Sequence, residues 1–153
     1  MPGAINTRVT LDSNVLISAV KGKEKYSEDC IEIIANVGTS FVLYQPTVCI
    51  TEVYNGIGRT KGEPAAKKAL KDFYKMVYHL EDYGSRAQCK RVGKTALNYR
   101  VYSADAFYLQ TSLDFKTMLV SLDEEDFIDR IKAKDTGYNV FHARDAVSEL
   151  LER

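Results

Sequence analysis

The feature of this sequence that most limits its fold is the alternation of short β-rich runs with longer helical patterns. Runs of apolar and β-branched residues predict strands at 7–11, 41–44, 117–122 and 138–141, and helical spacing separates each run from the next. Strands that are joined through helices form right-handed crossovers, which give a parallel sheet with helices on both faces. The sequence therefore predicts an α/β protein, a three-layer α/β/α sandwich around a central parallel sheet of about four to five strands.

The expected helices lie between and after these strands. Their bounds follow from apolar spacing, from serine and asparagine at helix starts, and from glycine and proline at helix ends. The glycines at positions 56 and 58 and the turn around Gly62 are expected to end the third helix, and Ser103 is expected to cap the sixth. The predicted helices cover residues 13–20, 25–37, 47–59, 65–80, 85–99, 103–113, 126–133 and 143–151.

The length of 153 residues suits one domain, and no repeat, low-complexity tract or linker divides the chain, so we expect a single domain over residues 1–153. No apolar run is long enough for a membrane helix, and the N-terminus lacks the apolar stretch of a secretory signal. The three cysteines, Cys30, Cys49 and Cys89, are widely spaced and lie in or beside apolar segments. They are interpreted as buried thiols, and the protein is expected in the reducing cytoplasm.

Four acidic residues occupy positions at which a parallel sheet would gather them. Asp12 directly follows the first predicted strand, and Asp123 directly follows the third, so both are expected at the same edge of the sheet. Glu52 lies early in the helix after the second strand, and Asp105 lies in the first turn of its helix. Clustered carboxylates stay ionised only if their charge is compensated, and their all-oxygen donor set favours Mg²⁺ or Mn²⁺. The cysteines and the two histidines lack the spacing of a zinc site.

Each of these acids also has a purely structural explanation. Asp12 and Asp105 stand at helix starts, where a carboxylate is favoured by free N–H groups and by the helix dipole. Glu52 fits a solvent-facing helix position, and Asp123 opens an acidic turn. Considered singly, each residue is explained as well by structure as by function. The expected convergence of two of them at one edge of the sheet favours function.

Four segments resemble, in the same order, the motifs of PIN domains and more narrowly those of the VapC-type toxin ribonucleases of toxin–antitoxin pairs. The segments are LDSNVLIS around Asp12, PTVCITEVYNGI around Glu52, VYSADAFYLQTS around Asp105 and MLVSLDEEDF around Asp123. The resemblance covers roughly residues 8–142, and four ordered motifs are more specific than any one of them. Ser13 stands where the family more often has threonine, and the crowded fourth motif leaves Asp126 as a reserve acid.

The resemblance implies a metal-dependent endoribonuclease that hydrolyses RNA phosphodiester bonds with Mg²⁺ or Mn²⁺ as its cofactor. The implied metal ligands are Asp12, Asp105 and Asp123. Glu52 completes the catalytic set by holding a water on the ion or a second ion, and Asn14 and Ser121 orient the carboxylates through hydrogen bonds. Because a metal-activated water attacks in this mechanism, the expected products carry a 5′-phosphate and a 3′-hydroxyl.

The net charge of zero conceals an uneven distribution. Residues 59–100 carry a net charge of +7, and the rest of the chain carries −7. A path for RNA and a plain solvated helix face both fit this pattern. The residues for which RNA contact is predicted are Arg59, Lys61, Lys67, Lys68, Lys90 and Arg91. Most of the ten tyrosines are expected to pack, although Tyr99 and Tyr102 near Asp105 are suited to stacking on bases.

The same resemblance implies a small antitoxin partner, for which the helices of residues 47–80 help form a groove, and a homodimer. Phe73 and Val77 are assigned to the core, and Tyr74 and Tyr78 remain open as interface residues. Two alternatives also remain open: an RNA-processing nuclease that is not a toxin, and a catalytically silent RNA- or protein-binding module. A phospho-acceptor signalling domain is disfavoured, because Asp12 has no acidic neighbour and no lysine follows the last predicted strand.

Overall fold

The fold is a five-stranded parallel sheet covered by helices. A computed structural model describes residues 4–151, so the two ends of the predicted domain 1–153 lie outside the described residues. The strands are β1 (Arg8–Leu11), β2 (Val42–Pro46), β3 (Val77–Glu81), β4 (Met118–Ser121) and β5 (Val140–His142). All neighbouring strands pair in parallel, in the order β3-β2-β1-β4-β5. The predicted α/β fold with a central parallel sheet is therefore confirmed.

The helices follow most of the predicted bounds. They are α1 (Ser13–Lys21), α2 (Ser27–Ala35), α3 (Val48–Lys61), α4 (Glu63–Met76), α5 (Arg86–Tyr99), α6 (Ser103–Phe115), α7 (Asp129–Lys134) and α8 (Ala143–Leu151). A π-helical turn, Glu124–Ile128, immediately precedes α7. Ser85 caps α5 by accepting a hydrogen bond from the backbone N–H of Gln88. The predicted cap at Ser103 is wrong, because Ser103 is the first residue inside α6 and Tyr102 precedes it.

The prediction that glycines 56 and 58 end α3 is also wrong. The helix continues through both and ends before Gly62, whose φ of +88° is a conformation that favours glycine. Gly56 instead allows α3 to lie close to α1, because a Cβ atom at this position would come within 2.5 Å of the Ile17 side chain. Packing between helices, rather than helix termination, explains this glycine.

The helix predicted at 65–80 is wrong over its last residues. Helix α4 ends at Met76, and residues 77–81 form β3, the edge strand that pairs with β2. Val77 and Leu80 continue the apolar spacing of α4, so periodicity alone extends the helix through them. Pairing with β2 is a long-range interaction and decides the conformation of this segment.

The core lies on both faces of the sheet. Val9, Thr10 and Leu11 are all fully buried, and successive residues of a strand point to opposite faces. Phe73 belongs to this core, as predicted, whereas Val77 is only partly buried. Among residues 4–151, no helix combines the length and the apolar character that crossing a bilayer requires.

The three cysteines are free thiols, and Cys30 and Cys49 are buried as predicted. The prediction that Cys89 is buried is wrong. This residue lies in the first turns of α5, and the apolar residue that α5 buries nearby is Val92. The spacing of apolar residues around Cys89 did not reveal which face of the helix meets solvent.

The order of the strands fixes where a site can form. Within the sheet, β2 and β3 lie on one side of β1, and β4 and β5 lie on its other side. The carboxyl ends of β1 and β4 therefore flank the point at which the connections diverge. Open α/β sheets bind their ligands in the crevice at such a point.

Candidate active site

Asp12 lies at the divergence point between β1 and β4. Its backbone N–H donates to the carbonyl of Val120 across 2.9 Å, so the residue is still fixed to the sheet. Its side chain does not form the hydrogen bond that usually caps a helix, and its Oδ2 instead accepts from the Ser121 hydroxyl at 2.7 Å. Asp12 is only 4% exposed, so this carboxylate is buried. A capping role does not explain it.

Ser121 and Asn14 connect the ends of the two central strands. The Ser121 hydroxyl accepts from Asn14 Nδ2 at 3.3 Å and from the backbone N–H of Asp123 at 3.0 Å. The amide oxygen of Asn14 accepts from the backbone N–H of Leu122 at 3.2 Å. The two residues predicted to orient carboxylates thus lie beside Asp12 and Asp123, in contact with both segments.

Gln45 supports the residue before Asp12 and was missed by the sequence analysis. The registered pairs of β1 with β2 are Arg8 with Val42 and Val9 with Leu43. Beyond them, the Gln45 side chain accepts from the backbone N–H of Leu11 at 2.7 Å and donates to the Leu11 carbonyl at 2.8 Å. The only signal in the sequence was a polar residue between the predicted strand at 41–44 and Pro46.

Tyr108 holds Glu52 from the neighbouring helix α6. The Tyr108 hydroxyl donates to Glu52 Oε1 at 2.5 Å, and the tyrosine is fully buried. Burial is the main cause that raises the pKa of Tyr108 well above its ordinary value, so the hydroxyl remains a donor. Tyr108 was not predicted as a site residue, although it stands three positions after Asp105 on one helix, where side chains share a face.

Burial and the charges of other acids raise the pKa values of two of the predicted acids, Asp12 and Asp105. Burial, followed by the charges of Asp105 and Glu52, raises the pKa of Asp12 from 3.8 to about 7. Burial, followed by the charges of Asp123, Glu52 and Asp126, raises the pKa of Asp105 to about 6. No basic side chain in the described part of the chain is a main cause of either pKa shift. We call Asp12, Glu52, Asp105 and Asp123 together the carboxylate pocket. Their negative charges are incompletely compensated.

Asp123 and the reserve acid Asp126 have structural partners of their own. Asp123 Oδ1 accepts from the backbone N–H of Asp126 at 3.0 Å and so caps the π-helical turn. Asp126 forms an ion pair with Arg130, in which Nη2 lies 2.7 Å from Oδ1. Asp126 is thus partly neutralised, and Asp123 retains Oδ2 for another partner.

The chemistry of the donor set fits a hard divalent cation. Carboxylate oxygens are the ligands that Mg²⁺ and Mn²⁺ prefer, and a cation would remove the repulsion that raises the pKa values of Asp12 and Asp105. Within residues 4–151, no three His, Cys, Asp or Glu side chains already converge as a ligand set. Repelling carboxylates remain apart without a counter-charge, so cation binding would require side chains of the pocket to move together.

The six basic residues predicted to contact RNA are not connected to this pocket. In the described part of the chain, no hydrogen bond or ion pair joins any of them to the four acids. Lys67 and Lys68 pair with acids of α4, at 3.7 Å and 3.6 Å. Arg91 is held by two 2.7 Å bonds to the carboxylate of Asp114. Among the six residues, the exposed ones for which the described part of the chain shows no ion pair are Arg59, Lys61 and Lys90.

A separate apolar groove lies among α1, α2, α3 and α4. Its volume is about 380 Å³, and its lining includes Leu16, Val20, Ile31, Phe73 and Met76. Val20 and Ile31 are 39% and 46% exposed, respectively. The groove contains none of the four site acids and is therefore a second surface feature, distinct from the carboxylate pocket.

A parallel α/β sheet with carboxylates at its divergence point can be assigned to a protein family. The model of the PIN domain family matches residues 9–134, and the chain belongs to this family. The comparison with curated proteins finds no match.

Solved structures share the fold at low sequence identity. VapC20 of Mycobacterium tuberculosis, described as a Sarcin-Ricin loop cleaving toxin, matches with a TM-score of 0.65 and 11% identity, over 85% of this chain and 95% of that chain. PAE2754 of Pyrobaculum aerophilum matches with a TM-score of 0.63 and 17% identity, over 96% and 98% of the two chains. VapBC2 of Rickettsia felis, bound to a DNA fragment from its promoter, matches with a TM-score of 0.62 and 13% identity, over 89% of this chain and 98% of that chain.

Proposed function

We propose that this protein is a metal-dependent endoribonuclease whose catalytic residues are Asp12, Glu52, Asp105 and Asp123. The observation that carries the proposal is the buried carboxylate of Asp12 at the divergence point of the sheet, which accepts from Ser121 at 2.7 Å, and the pKa values of Asp12 and Asp105 rise to about 7 and 6. Uncompensated buried charge opposes folding, so its presence is better explained by function than by stability. Membership of the PIN domain family supports the same reaction class.

Asp12, Asp105 and Asp123 would hold the cofactor Mg²⁺ or Mn²⁺. When bound, the cation neutralises the phosphate under attack and lowers the pKa of the attacking water. Ser121 donates to Oδ2 of Asp12 at 2.7 Å and so fixes the orientation of the carboxylate that would bind the cation. Asn14 supports Ser121 in turn, at 3.3 Å. These hydrogen bonds orient the carboxylate before any substrate arrives.

Glu52 would orient the attacking water. Tyr108 occupies Oε1 of Glu52, so Oε2 is the atom left to accept a hydrogen bond from that water. The ribose 2′-hydroxyl takes no part, and the products therefore carry a 5′-phosphate and a 3′-hydroxyl. Detection of a 2′,3′-cyclic phosphate end would contradict this mechanism.

The test of the proposed activity is cleavage of a mixed RNA pool with Mn²⁺ or Mg²⁺. Replacing Asp12 by Asn keeps the size of the side chain but removes its charge, so we expect activity to fall about 100-fold or more. Asp72→Asn is the matched control, because Asp72 is exposed on α4 and pairs with Lys68. EDTA should abolish cleavage by the wild type. Equal activity of wild type and Asp12→Asn would exclude Asp12 from the mechanism.

We further propose that the protein is the toxin of a toxin–antitoxin pair and acts in the cytoplasm. The structures from Rickettsia felis, Salmonella typhimurium and nontypeable Haemophilus influenzae are VapBC proteins, which supports a small antitoxin as partner. The apolar groove among α1–α4 would take an apolar segment of this antitoxin, and its partly exposed Val20 and Ile31 provide contact area. A homodimer is the expected assembly.

Expression of the protein in bacteria tests the toxin proposal separately from the nuclease activity. A toxin should arrest growth, Asp12→Asn should not, and co-expression of the small protein encoded beside it should restore growth. An RNA-processing nuclease would cleave RNA in vitro without arresting growth. That result would contradict the toxin role and leave the activity intact.

A further inference from the structure

The segment that leads into α6, the helix of Asp105, carries an exposed aromatic ring, that of Tyr102. The residue lies between α5 and α6, three positions before Asp105, and is 58% exposed. Large aromatic side chains are usually buried, so an exposed ring beside a site needs an explanation. Exposure alone is not distinctive, because Tyr78 is 69% exposed at the far side of the sheet.

Arg130 distinguishes Tyr102 from the other exposed tyrosines, Tyr74 and Tyr78. The centre of its guanidinium lies 5.4 Å from the centroid of the Tyr102 ring, in cation–π contact. Nη1 of Arg130 donates to the carbonyl of Arg100 at 2.7 Å, and Nη2 donates to Asp126 at 2.7 Å. The guanidinium is thus fixed at two points, and it supports one face of the ring.

The same contacts connect the ring to the segment that carries Asp123. Asp126, which holds Arg130, donates its backbone N–H to Oδ1 of Asp123 at 3.0 Å. Arg100, whose carbonyl Arg130 binds, has the left-handed φ of +57° and directs the chain toward Tyr102. Arg130 therefore links the Tyr102 ring, the turn at Arg100 and the acidic turn that follows Asp123, and the exposed area of the ring is available to a ligand bound by these acids.

We propose that Tyr102, supported by Arg130, is a stacking platform for an unpaired nucleobase of the RNA substrate. The inference rests on the proposed nuclease function and adds a base-binding subsite to it. A ring with one face held by the protein presents its remaining surface to a planar partner, and bases stack on such rings with little sequence preference. The phosphate that follows the base would then lie toward Asp105 and the catalytic carboxylates.

Binding of defined oligonucleotides tests the subsite without relying on cleavage. In the Asp12→Asn background, the probes are fluorescein-labelled oligoadenylate and oligouridylate of about 12 nucleotides and an abasic ribose-phosphate chain of equal length and charge. Tyr102→Leu should weaken binding of the two base-containing probes about five-fold or more and leave the abasic chain unchanged. Tyr102→Phe keeps the ring and should bind as the parent does.

The control for general surface effects is Tyr78→Leu, which removes an equally exposed ring far from the acids and should change no affinity. Thermal unfolding of each variant verifies that the fold is kept. Unchanged affinity of Tyr102→Leu for the base-containing probes, or an equal loss on the abasic chain, would overturn the subsite. Failure of the wild type to cleave the mixed RNA pool would instead overturn the proposed function, so the two failures are distinguishable.

Discussion

Asp12 combines burial with the proximity of other carboxylates. Both conditions disfavour its ionised form, and they raise its pKa from 3.8 to about 7. The Ser121 hydroxyl opposes this shift by donating to Oδ2, yet it compensates only part of the charge. A residue in this position reduces the stability of the protein near neutral pH unless a cation is bound, and this cost is the physical signature of the site.

The pKa of Asp12 predicts how stability depends on pH without divalent cations. The pKa of Asp12 is 3.8 in the unfolded chain and about 7 in the folded protein, so the folded protein binds the proton more tightly. The stabilising effect of this group is therefore complete below pH 4 and is lost as the pH rises to about 7, by at most roughly 1.4 kcal/mol per pH unit. Asp105, with its pKa of about 6, acts in the same direction.

Urea unfolding in EDTA from about pH 4.5 to 7.5 measures this dependence. Asp12→Asn should flatten the curve and be more stable than the wild type at the upper end. Added Mg²⁺ or Mn²⁺ should stabilise the wild type there, because the cation binds the ionised folded form. If the free energy of unfolding changed with pH equally in the wild type and in Asp12→Asn, the Asp12 carboxyl group would have the same pKa in the folded and unfolded states, which would contradict this prediction.

At the level of elements, the position of Asp12 depends on how β1 joins its neighbours. Strand β4 fixes the Asp12 backbone directly, and Gln45 of β2 fixes Leu11 through its side chain. The registered backbone pairs of β1 and β2 end at Val9 and Leu43. Beyond them, the Gln45 side chain forms the hydrogen bonds to Leu11 that a paired backbone would otherwise form. The backbone that carries the Asp12 carboxylate is thus held from both sides of its strand.

Replacing Gln45 by Met tests this support. Methionine fills a similar volume but leaves the N–H and C=O groups of Leu11 without their partners, so we expect a loss of about 2–4 kcal/mol in the free energy of unfolding. RNA cleavage should fall as well, because the backbone that carries Asp12 is released. Urea denaturation and cleavage rates measure the two effects.

Gln88→Met is the matched control for this substitution. Gln88 accepts only from Arg91, near the surface of α5, so its loss should cost well under about 1 kcal/mol. If Gln45→Met were as stable and as active as Gln88→Met, the hydrogen bonds to Leu11 would have no part in holding Asp12.

The whole molecule separates its charges along the chain. Residues 59–100 carry +7, and the remainder, which includes Asp12, Asp105 and Asp123, carries −7. RNA can approach a carboxylate pocket only if basic groups elsewhere offset the repulsion. Lys67, Lys68 and Arg91 are already paired with acids of the protein, which leaves Arg59, Lys61 and Lys90 as the better candidates for phosphate contact. Of these, Arg59 and Lys61 lie together at the end of α3.

Salt dependence of RNA binding tests this role. In the Asp12→Asn background, Arg59→Gln combined with Lys61→Gln should reduce the slope of log affinity against log salt by about 0.7 for each phosphate that the protein no longer neutralises. Lys23→Gln with Lys25→Gln removes the same charge at an exposed loop outside the basic segment. Equal slopes for the two double variants would contradict a specific path along α3.

Local sequence patterns determined most of the elements and the order of the acids. The runs that became β1, β2, β4 and β5 were apolar and short, and glycine, proline and helical spacing separated them. Because parallel strands joined by helices meet at one edge, Asp12 and Asp123 were expected at the same edge from connectivity alone, and the structure places them there, bridged by Ser121.

Only the tertiary structure decided what depends on contacts between distant residues. The edge strand β3 continued the apolar spacing of α4, and pairing with β2 turned it into a strand. Gln45, Tyr108 and Arg130 acquire their roles from partners 34, 56 and 30 residues away, respectively. No local pattern encodes these contacts, because each arises only when packing brings the two segments together and removes water from between them.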